Sequence, residues 1–321
     1  MAKYCVGIDL GGSFIKVGLL DENFNPGKVI ELPTPQNGQS SAVVAQMVAG
    51  ARQLMLQEKL TKADVIGVGI GSPGPLSISR GVIIATPNIP GIKNLPIRDM
   101  ISAELGLPAV LENDANAAGY GEFVSGAGKG VRDMVLVTLG TGVGGGIVVD
   151  GRVLHGAHEV GAELGHMIVA PGGEQCNCGQ KGCLERYSSA TYMALRTQRL
   201  LETGQQSSLQ AVLKAKGAIT SKDINEARKA GDALAARCWD EAAYYLAIAC
   251  VSVARMLDPD EIVLGGGMAK AGNDLLEPVQ SHFQKLTWTV TGPLTKIALA
   301  RLGNDAGFIG AAGVAWAAFG K

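Results

Sequence analysis

One imidazole and three thiols fall close together in the chain, spaced His166-x9-Cys176-x-Cys178-x4-Cys183. This is the donor set that zinc takes in tetrahedral sites. Turns at Pro171-Gly172-Gly173 and Gly179-Gln180-Lys181-Gly182 let so short a segment fold round one ion. Four protein ligands leave no open position, so the spacing predicts a structural Zn²⁺ and not a Lewis acid for a reaction. His158-Glu159-Val160-Gly161-Ala162 begins like a metalloprotease helix but lacks the second His at the required spacing. The remaining cysteines, Cys5, Cys238 and Cys250, are scattered, unlike the spread pairs of a secreted disulfide framework.

A second constellation is Glu112-Asn113-Asp114-Ala115-Asn116-Ala117-Ala118, which follows a short apolar strand and opens a helix. Asp114 there can orient an attacking hydroxyl and accept its proton, the task of a base in phosphoryl transfer. Open α/β sheets gather such groups at the carboxyl ends of their strands. Asp114 also fits the plainer role of helix N-cap.

Three glycine-rich turns complete the inventory. Asp9-Leu10-Gly11-Gly12-Ser13 lies between two strands, where glycines let backbone N–H groups surround phosphate oxygens. Ser13 adds a hydroxyl, Lys16 a point charge, and Asp9 a carboxylate for Mg²⁺, through water because that ion dehydrates reluctantly. Alone, the turn fits an ordinary hairpin equally well. The second turn, Gly140-Thr141-Gly142-Val143-Gly144-Gly145-Gly146, has five glycines in seven positions, an entropic cost that packing rarely explains. It matches neither a P-loop nor a Rossmann fingerprint, and with the first it reads as a pair of clamps on one polyphosphate. Leu264-Gly265-Gly266-Gly267-Met268 joins a buried strand to an expected helix. Its glycines give adenine or ribose a flat approach to a helix N-terminus, or serve packing alone.

The elements that must position these residues are legible from periodicity. Tyr4 to Leu20 reads as strand, glycine turn and strand, with Val29 to Leu32 a third strand of a meander. Val44, Met47, Val48, Ala51, Leu54 and Met55 recur at helical spacing within Ser41–Lys59. Strands follow at Val65–Ile70 and Ala109–Glu112, with a helix over Ile97–Glu104 between them. Met134 to Val149 repeats the strand, glycine turn and strand, which predicts two lobes of similar topology joined near residues 115–130, where Gly126–Gly130 reads as flexible. Beyond the cysteines the chain turns helical, with a long helix from Asp232 to Leu257, a strand at Glu261–Leu264 and an alanine-rich helix over Ala306–Phe319.

Composition narrows the function classes. The 321 residues are 47% hydrophobic and 18% charged with a formal net charge of -1, which argues against disorder and against a nucleic-acid groove or an anionic membrane surface. No stretch reaches the roughly 20 apolar residues of a membrane helix. Met1-Ala2-Lys3-Tyr4-Cys5 runs into a strand with no signal-peptide pattern, so a cytoplasmic location is expected.

Taken together, these stretches resemble the ROK family (repressors, open reading frames and sugar kinases). The likeness rests on Asp9–Ser13, Glu112–Ala118, Gly140–Gly146, Gly161-Ala162-Glu163-Leu164-Gly165-His166 and Cys176-Asn177-Cys178-Gly179-Gln180-Lys181-Gly182-Cys183-Leu184-Glu185. It covers essentially the whole chain, and the last two motifs are specific to this family among actin-like ATPase folds. Ser13 departs from the commoner threonine but keeps the hydroxyl. The resemblance implies an α/β fold of two actin-like (ribonuclease H-like) lobes with ATP and sugar in the cleft between them. The expected division is a small lobe over 1–118, a large lobe over 119–305 carrying the zinc segment 166–185, and a helix over 306–321 returning to the first lobe.

The resemblance also assigns roles. Asp114 becomes the general base, with Asn113, Glu163, His166 and Glu185 on sugar hydroxyls, so that His166 serves metal and substrate together. Asn88, on the loop after Pro73-Gly74-Pro75, is a further sugar contact. Nucleotide binding falls to Asp9, Gly11, Gly12, Ser13, Lys16, Thr138, Gly140, Thr141, Gly142, Gly265 and Gly266. The implied reaction is ATP-dependent phosphorylation of a hexose at its 6-hydroxyl, glucose first, by a homodimer or homotetramer. N-acetylmannosamine, N-acetylglucosamine and fructose kinases share the same motifs. A sugar-responsive repressor is disfavoured because such relatives carry a helix-turn-helix before the first phosphate loop, which here begins at Asp9. An actin-like ATPase without a sugar would leave Glu163, His166 and Glu185 without a task.

Overall fold

The computed structural model describes residues 3–86, 88–292 and 294–320. Met1 and Ala2, at the expected entry to the first strand, and Lys321, which ends the expected C-terminal segment, lie outside them. In chain order the elements are β1 (Tyr4–Leu10), β2 (Phe14–Asp21), β3 (Pro26–Pro33), α1 (Ser40–Gln57), β4 (Val65–Ser72), β5 (Leu76–Ser77), β6 (Val82–Ala85), β7 (Lys93–Leu95), α2 (Ile97–Leu105), β8 (Ala109–Asn113) and α3 (Asp114–Ser125). There follow β9 (Met134–Leu139), β10 (Val143–Val149), β11 (Arg152–Val153), a 3₁₀ turn at Leu164–His166, α4 (Glu185–Ser188), α5 (Ala190–Glu202), α6 (Leu209–Lys216), α7 (Ser221–Lys229) and α8 (Ala233–Leu257). The chain ends with β12 (Glu261–Gly265), a 3₁₀ turn at Gly267–Ala271, α9 (Asn273–Leu286), β13 (Lys296–Leu299) and α10 (Ala306–Phe319).

Two five-stranded sheets have the same order, β3-β2-β1-β4-β8 and β11-β10-β9-β12-β13. In the first, β1–β2 and β2–β3 are antiparallel while β1–β4 and β4–β8 are parallel. The second repeats this, with β10–β11 antiparallel and β9–β12 and β12–β13 parallel. The meander expected at the N-terminus and its repeat after Met134 are therefore present as two copies of one topology. No helix among the described residues is long and apolar enough to cross a membrane.

The chain divides into two compact units, one comprising the residues up to Val131, Gly146–Gly161 and the residues from Arg301 onward, the other Arg132–Gly145 and Ala162–Ala300. In the first unit the strand period of two sorts β1 into faces. Val6, Ile8 and Leu10 join the core under α1 and α2, with Met47, Ala51, Leu54 and Ile101. Cys5 faces the other way, among Phe308, Ile309 and Ala312 of α10. Asp9 lies on this second face, with its carboxylate against Gly307 in the first turn of α10. That helix can approach so closely because β4 offers Gly69 beneath it: a Cβ there would overlap the carbonyl of Ala311.

Glu122, fully buried in α3, accepts hydrogen bonds from the amides of Arg301 and Leu302 at 3.0 and 2.8 Å, fixing the segment that leads into α10. The same carboxylate accepts from Ala127 at 2.9 Å, and the Glu122 carbonyl accepts from Gly126 and Gly128. Gly126–Gly130, which reads as flexible in sequence, is thus organised at its start around the buried Glu122, which also holds Arg301 and Leu302 from far along the chain.

In the second unit β9 and β12 are buried through Met134–Val137 and Ile262–Leu264. α8 is capped by Asp232, whose side chain accepts from the Ala235 amide, and packs against α4, α5, α7 and α9. The turn after β12 enters a 3₁₀ turn and not an α-helix as expected; α9 begins only at Asn273, after Gly272. Its N-terminus is therefore displaced from Gly265–Gly267 along the chain.

Candidate active site

The first unit carries the β1–β2 turn. Its carbonyls are held from one side: Thr34 Oγ1 donates to Gly11 O at 2.7 Å, Gln36 Nε2 to Gly12 O at 2.7 Å, and the Thr34 amide to Ser13 O at 2.9 Å. In a trans peptide the N–H points opposite to the C=O. Fixing these carbonyls turns the amides of Gly12 and Ser13 the other way, the arrangement that suits an anion. Ser13 is exposed, and Asn88, also exposed, lies against Gly12. Lys16 Nζ is held by Asp305 Oδ1 at 2.9 Å and Asn304 O at 3.0 Å, so a phosphate contact requires it to leave or share this pair.

β8 delivers Asn113 and Asp114 to the head of α3. The N-cap is Asn113, whose Oδ1 accepts from the amides of Ala115 and Asn116 at 2.9 and 3.2 Å. The alternative role of Asp114 as the cap is therefore taken by its neighbour, with the Asn113 Nδ2 group remaining as a donor. Asp114 Oδ1 accepts from the Ala115 amide at 2.8 Å. Burial pushes the Asp114 carboxyl above the usual carboxylate range, against the pull of that amide. Asp9 is pushed up to about 6, by burial first and then by the charge of Asp114, with Lys16 opposing. Two carboxylates that repel each other in a desolvated place suit proton transfer and cation binding.

In the second unit the loop after β9 is closed by a hydrogen bond from the Gly140 amide to Gly142 O at 2.9 Å. Gly140 O accepts the Ala190 amide at 2.9 Å, and Glu185 Oε2 accepts the Val143 amide at 3.0 Å. Gly142 is glycine for a steric reason, since a Cβ would run into the Glu185 carboxylate. Thr138 and Gly265 are register partners across the parallel β9–β12 pair, which sets the third glycine turn beside the strand that feeds the second.

His166, Cys176, Cys178 and Cys183 are brought together, with one ligand atom from each lying within 4.8 Å of all the others. His166 Nδ1 is 3.7 Å from Cys176 Sγ, and Cys178 Sγ is 3.6 Å from Cys183 Sγ. Neighbouring sulfurs on one tetrahedral zinc ion stand about 3.8 Å apart, given zinc–sulfur bonds of about 2.3 Å. The sulfur pair is far beyond disulfide length and close to that value. Glu163 is exposed just before the 3₁₀ turn that carries His166, and Glu185 opens α4 two residues after Cys183.

A cavity of about 650 Å³ in the second unit is lined by Asn225 and Lys229 of α7, Trp239 of α8, and Gly267, Met268 and Lys270 of the turn after β12. Of its lining only the glycine turn is marked in sequence, because α7 and α8 reach it by packing. Thr34, Gln36, Glu112 and His155 likewise support the first-unit residues without a sequence signal of their own, except that Glu112 stands inside the Asp114 motif.

The repeated sheet order, with a glycine-rich turn after the first strand of each copy, defines an actin-like, ribonuclease H-like fold of the sugar-kinase class. The chain belongs to the ROK family, whose model matches residues 5–318. It is 38% identical over 312 residues to a protein named glucokinase from Halalkalibacterium halodurans, covering 96% of this chain and 93% of that one. Among solved structures it is similar to a ROK hexokinase from Thermus thermophilus, with a TM-score of 0.83, 32% identity and 98% of each chain covered. It is also similar to a ROK family glucokinase from Streptomyces griseus in complex with glucose and AMPPNP, with a TM-score of 0.75, 33% identity and 97% and 98% of the two chains covered.

Proposed function

We propose that this chain is a hexose kinase that transfers the γ-phosphoryl group of ATP to the 6-hydroxyl of glucose. The observation that carries the reaction type is Asp114, a desolvated carboxylate at the head of α3 with one oxygen held by the Ala115 amide. A carboxylate held in this way still has lone pairs with which to orient a hydroxyl and take its proton as the bond to phosphorus forms. Glucose as the acceptor rests on the names of the relatives.

The remaining roles follow the donors present. The first-unit turn offers the Gly12 and Ser13 amides to phosphate, and in the second-unit loop Gly140, Thr141 and Gly142 are assigned to nucleotide binding. Thr138, Gly265 and Gly266 border the nucleotide, with its base assigned to the cavity beside Trp239 and Met268. Asn88, the Nδ2 group of Asn113, Glu163, Glu185 and the remaining ring nitrogen of His166 are assigned to sugar hydroxyls. Mg²⁺ arriving with ATP would be held by Asp9 through water and supplies charge neutralisation to the transferring group. Asp9 fits this role, because its repulsion with Asp114 is relieved by a cation nearby. Zn²⁺ on His166, Cys176, Cys178 and Cys183 is structural, orienting His166 and the start of α4. A homo-oligomer in the cytoplasm completes the reading.

The test is a coupled ADP-release assay across hexoses and N-acetylhexosamines, run on the native chain and on Asp114→Ala. Glucose should give the highest kcat/KM, and the variant should lose about 10²–10⁴-fold in kcat while still binding sugar. An Asp114→Ala enzyme of native activity removes the base from the proposal. A higher kcat/KM for an N-acetylhexosamine removes glucose.

A further inference from the structure

We propose that His155 is a positioning residue for the phosphoryl-acceptor site, acting through buried Glu112 on the Asn113–Asp114 turn. The inference deepens, and rests on, the reading of Asp114 as the base.

Glu112 is the penultimate residue of β8 and is 1% exposed. A carboxylate so placed must have its lone pairs occupied or give up its charge. Its Oε1 accepts the amide of Asn113 at 2.9 Å and Asn116 Nδ2 at 3.0 Å. Its Oε2 meets His155 Nε2 at 2.7 Å, a short distance typical of charge-assisted pairs. Glu112 therefore grips the backbone of the cap residue and a side chain in the first turn of α3 together. Asn113 in turn caps the helix, and Asp114 binds the same Ala115 amide that the cap does. Three bonds thus link His155 to the turn that sets the Asp114 carboxylate.

The segment bearing His155 is itself anchored. The His155 carbonyl accepts the Gly161 amide at 2.9 Å. Glu159 accepts the amides of Ile78 and Ser79 at 2.9 and 2.8 Å, and it sits at a φ of 58°, a left-handed conformation unusual for its type. Residues 155–161 are thus fixed against the β5–β6 hairpin, and His155 meets Glu112 from a rigid support.

The groups that bear on the imidazole are Glu112 from β8 and Glu159 from its own segment. The bond to Glu112 holds the His155 proton above the ordinary histidine range, its charge and that of Glu159 add to this, and partial burial opposes. As pH rises through that elevated value, the His155 cation is lost and the buried Glu112 side chain is left with a weaker partner. The turn then loosens, which gives turnover an alkaline limb set by His155. Glutamine places an N–H donor near the Nε2 position without titrating.

The experiment measures kcat and KM for glucose and ATP from about pH 6 to 9 for the native chain, His155→Ala, His155→Gln and Asp114→Ala, with melting temperatures and zinc content alongside. His155→Ala should lose about ten-fold or more in kcat with KM for ATP nearly unchanged, because misplacement by a fraction of an ångström is costly. His155→Gln should recover most of that rate and lack the alkaline limb. Native kcat in His155→Ala overturns the inference. So does an alkaline limb retained in His155→Gln, a readout that stands even where His155→Ala folds poorly. An active Asp114→Ala overturns instead the reading of the base, whereas an inactive one beside a native-like His155→Ala sinks only the role of His155.

Discussion

Glu185 Oε2 accepts the amide of Val143 at 3.0 Å, so the residue that opens α4, two positions past Cys183, is tied to the glycine loop after β9. The Ala190 amide adds a second tie, to Gly140 O at 2.9 Å. The segment that carries the His166–Cys183 cluster and the glycine loop after β9 are therefore parts of one hydrogen-bonded piece of the second unit. Metal removal should disturb both ends of it. The purified chain should carry about one zinc per chain by elemental analysis, and chelation or Cys178→Ser should raise KM for sugar and for ATP about ten-fold and lower Tm by several degrees. A zinc-free protein with native KM values would show that the two parts act independently.

The packing of α10 gives a prediction about stability alone. Gly69 faces Ala311, and the Cβ of an alanine would meet that carbonyl, which belongs to a helix backbone unable to shift locally. Gly69→Ala should cost about 1–3 kcal/mol, the range of overpacked cores, and lower Tm by several degrees. Specific activity of the folded fraction well below its permissive temperature should stay near native, since no assigned substrate contact is altered. A Tm equal to that of the native chain would mean that α10 can slide along its groove.

Much of this was legible because local rules suffice for it. The β1–β2 turn and its repeat after β9 announce themselves through alternating apolar strands and glycine density, and the thiol cluster through spacing alone. What escaped depends on partners distant in sequence. His155 lies 43 residues from Glu112, and Thr34 lies 23 from Gly11, so nothing near either position reports the bond. Assigning the cap of α3 to Asp114 or Asn113 needs the turn geometry, since both residue types cap well. The 3₁₀ turn after Gly266 interposes between β12 and α9, a detail that three consecutive glycines leave open. Gly126–Gly130 reads as loose because its organiser, Glu122, works from inside a helix.

Asp9 is predicted to trade stability for function. Its folded carboxyl titrates at about 6, above the roughly 3.9 of an unfolded aspartate, with burial the main cause. Between those values the native state binds more proton than the unfolded one, so Asp9 removes stability as pH rises through that window. Asp9→Asn should therefore melt higher than the native chain at neutral pH, by a few degrees for a gain on the order of 1 kcal/mol. The difference should vanish on acidification below about pH 4. The same variant should lose ATP-dependent turnover if Asp9 holds Mg²⁺ as proposed. Differential scanning fluorimetry across pH checks the first part, and a variant that melts lower than the native chain at pH above about 6 would contradict it.

The charge of Asp114 is the second cause of the raised Asp9 titration, and this makes the pair separable by substitution. Asp114→Asn removes the repulsion and leaves the burial, so Asp9 should then titrate below about 6 yet still above an ordinary aspartate. The pH dependence of Tm should show the shift, with the Asp9-linked loss of stability moving to lower pH. To act as the proposed base Asp114 must be ionised, and burial holds its own carboxyl above the usual range. The acid limb of kcat/KM should consequently begin at a pH above that of a free carboxylate, and it should report macroscopic values belonging to both groups. Asp9→Asn should simplify the limb to one ionisation in whatever activity remains. A two-step limb in that variant would assign the second proton to another residue and leave Asp9 outside the titrating pair.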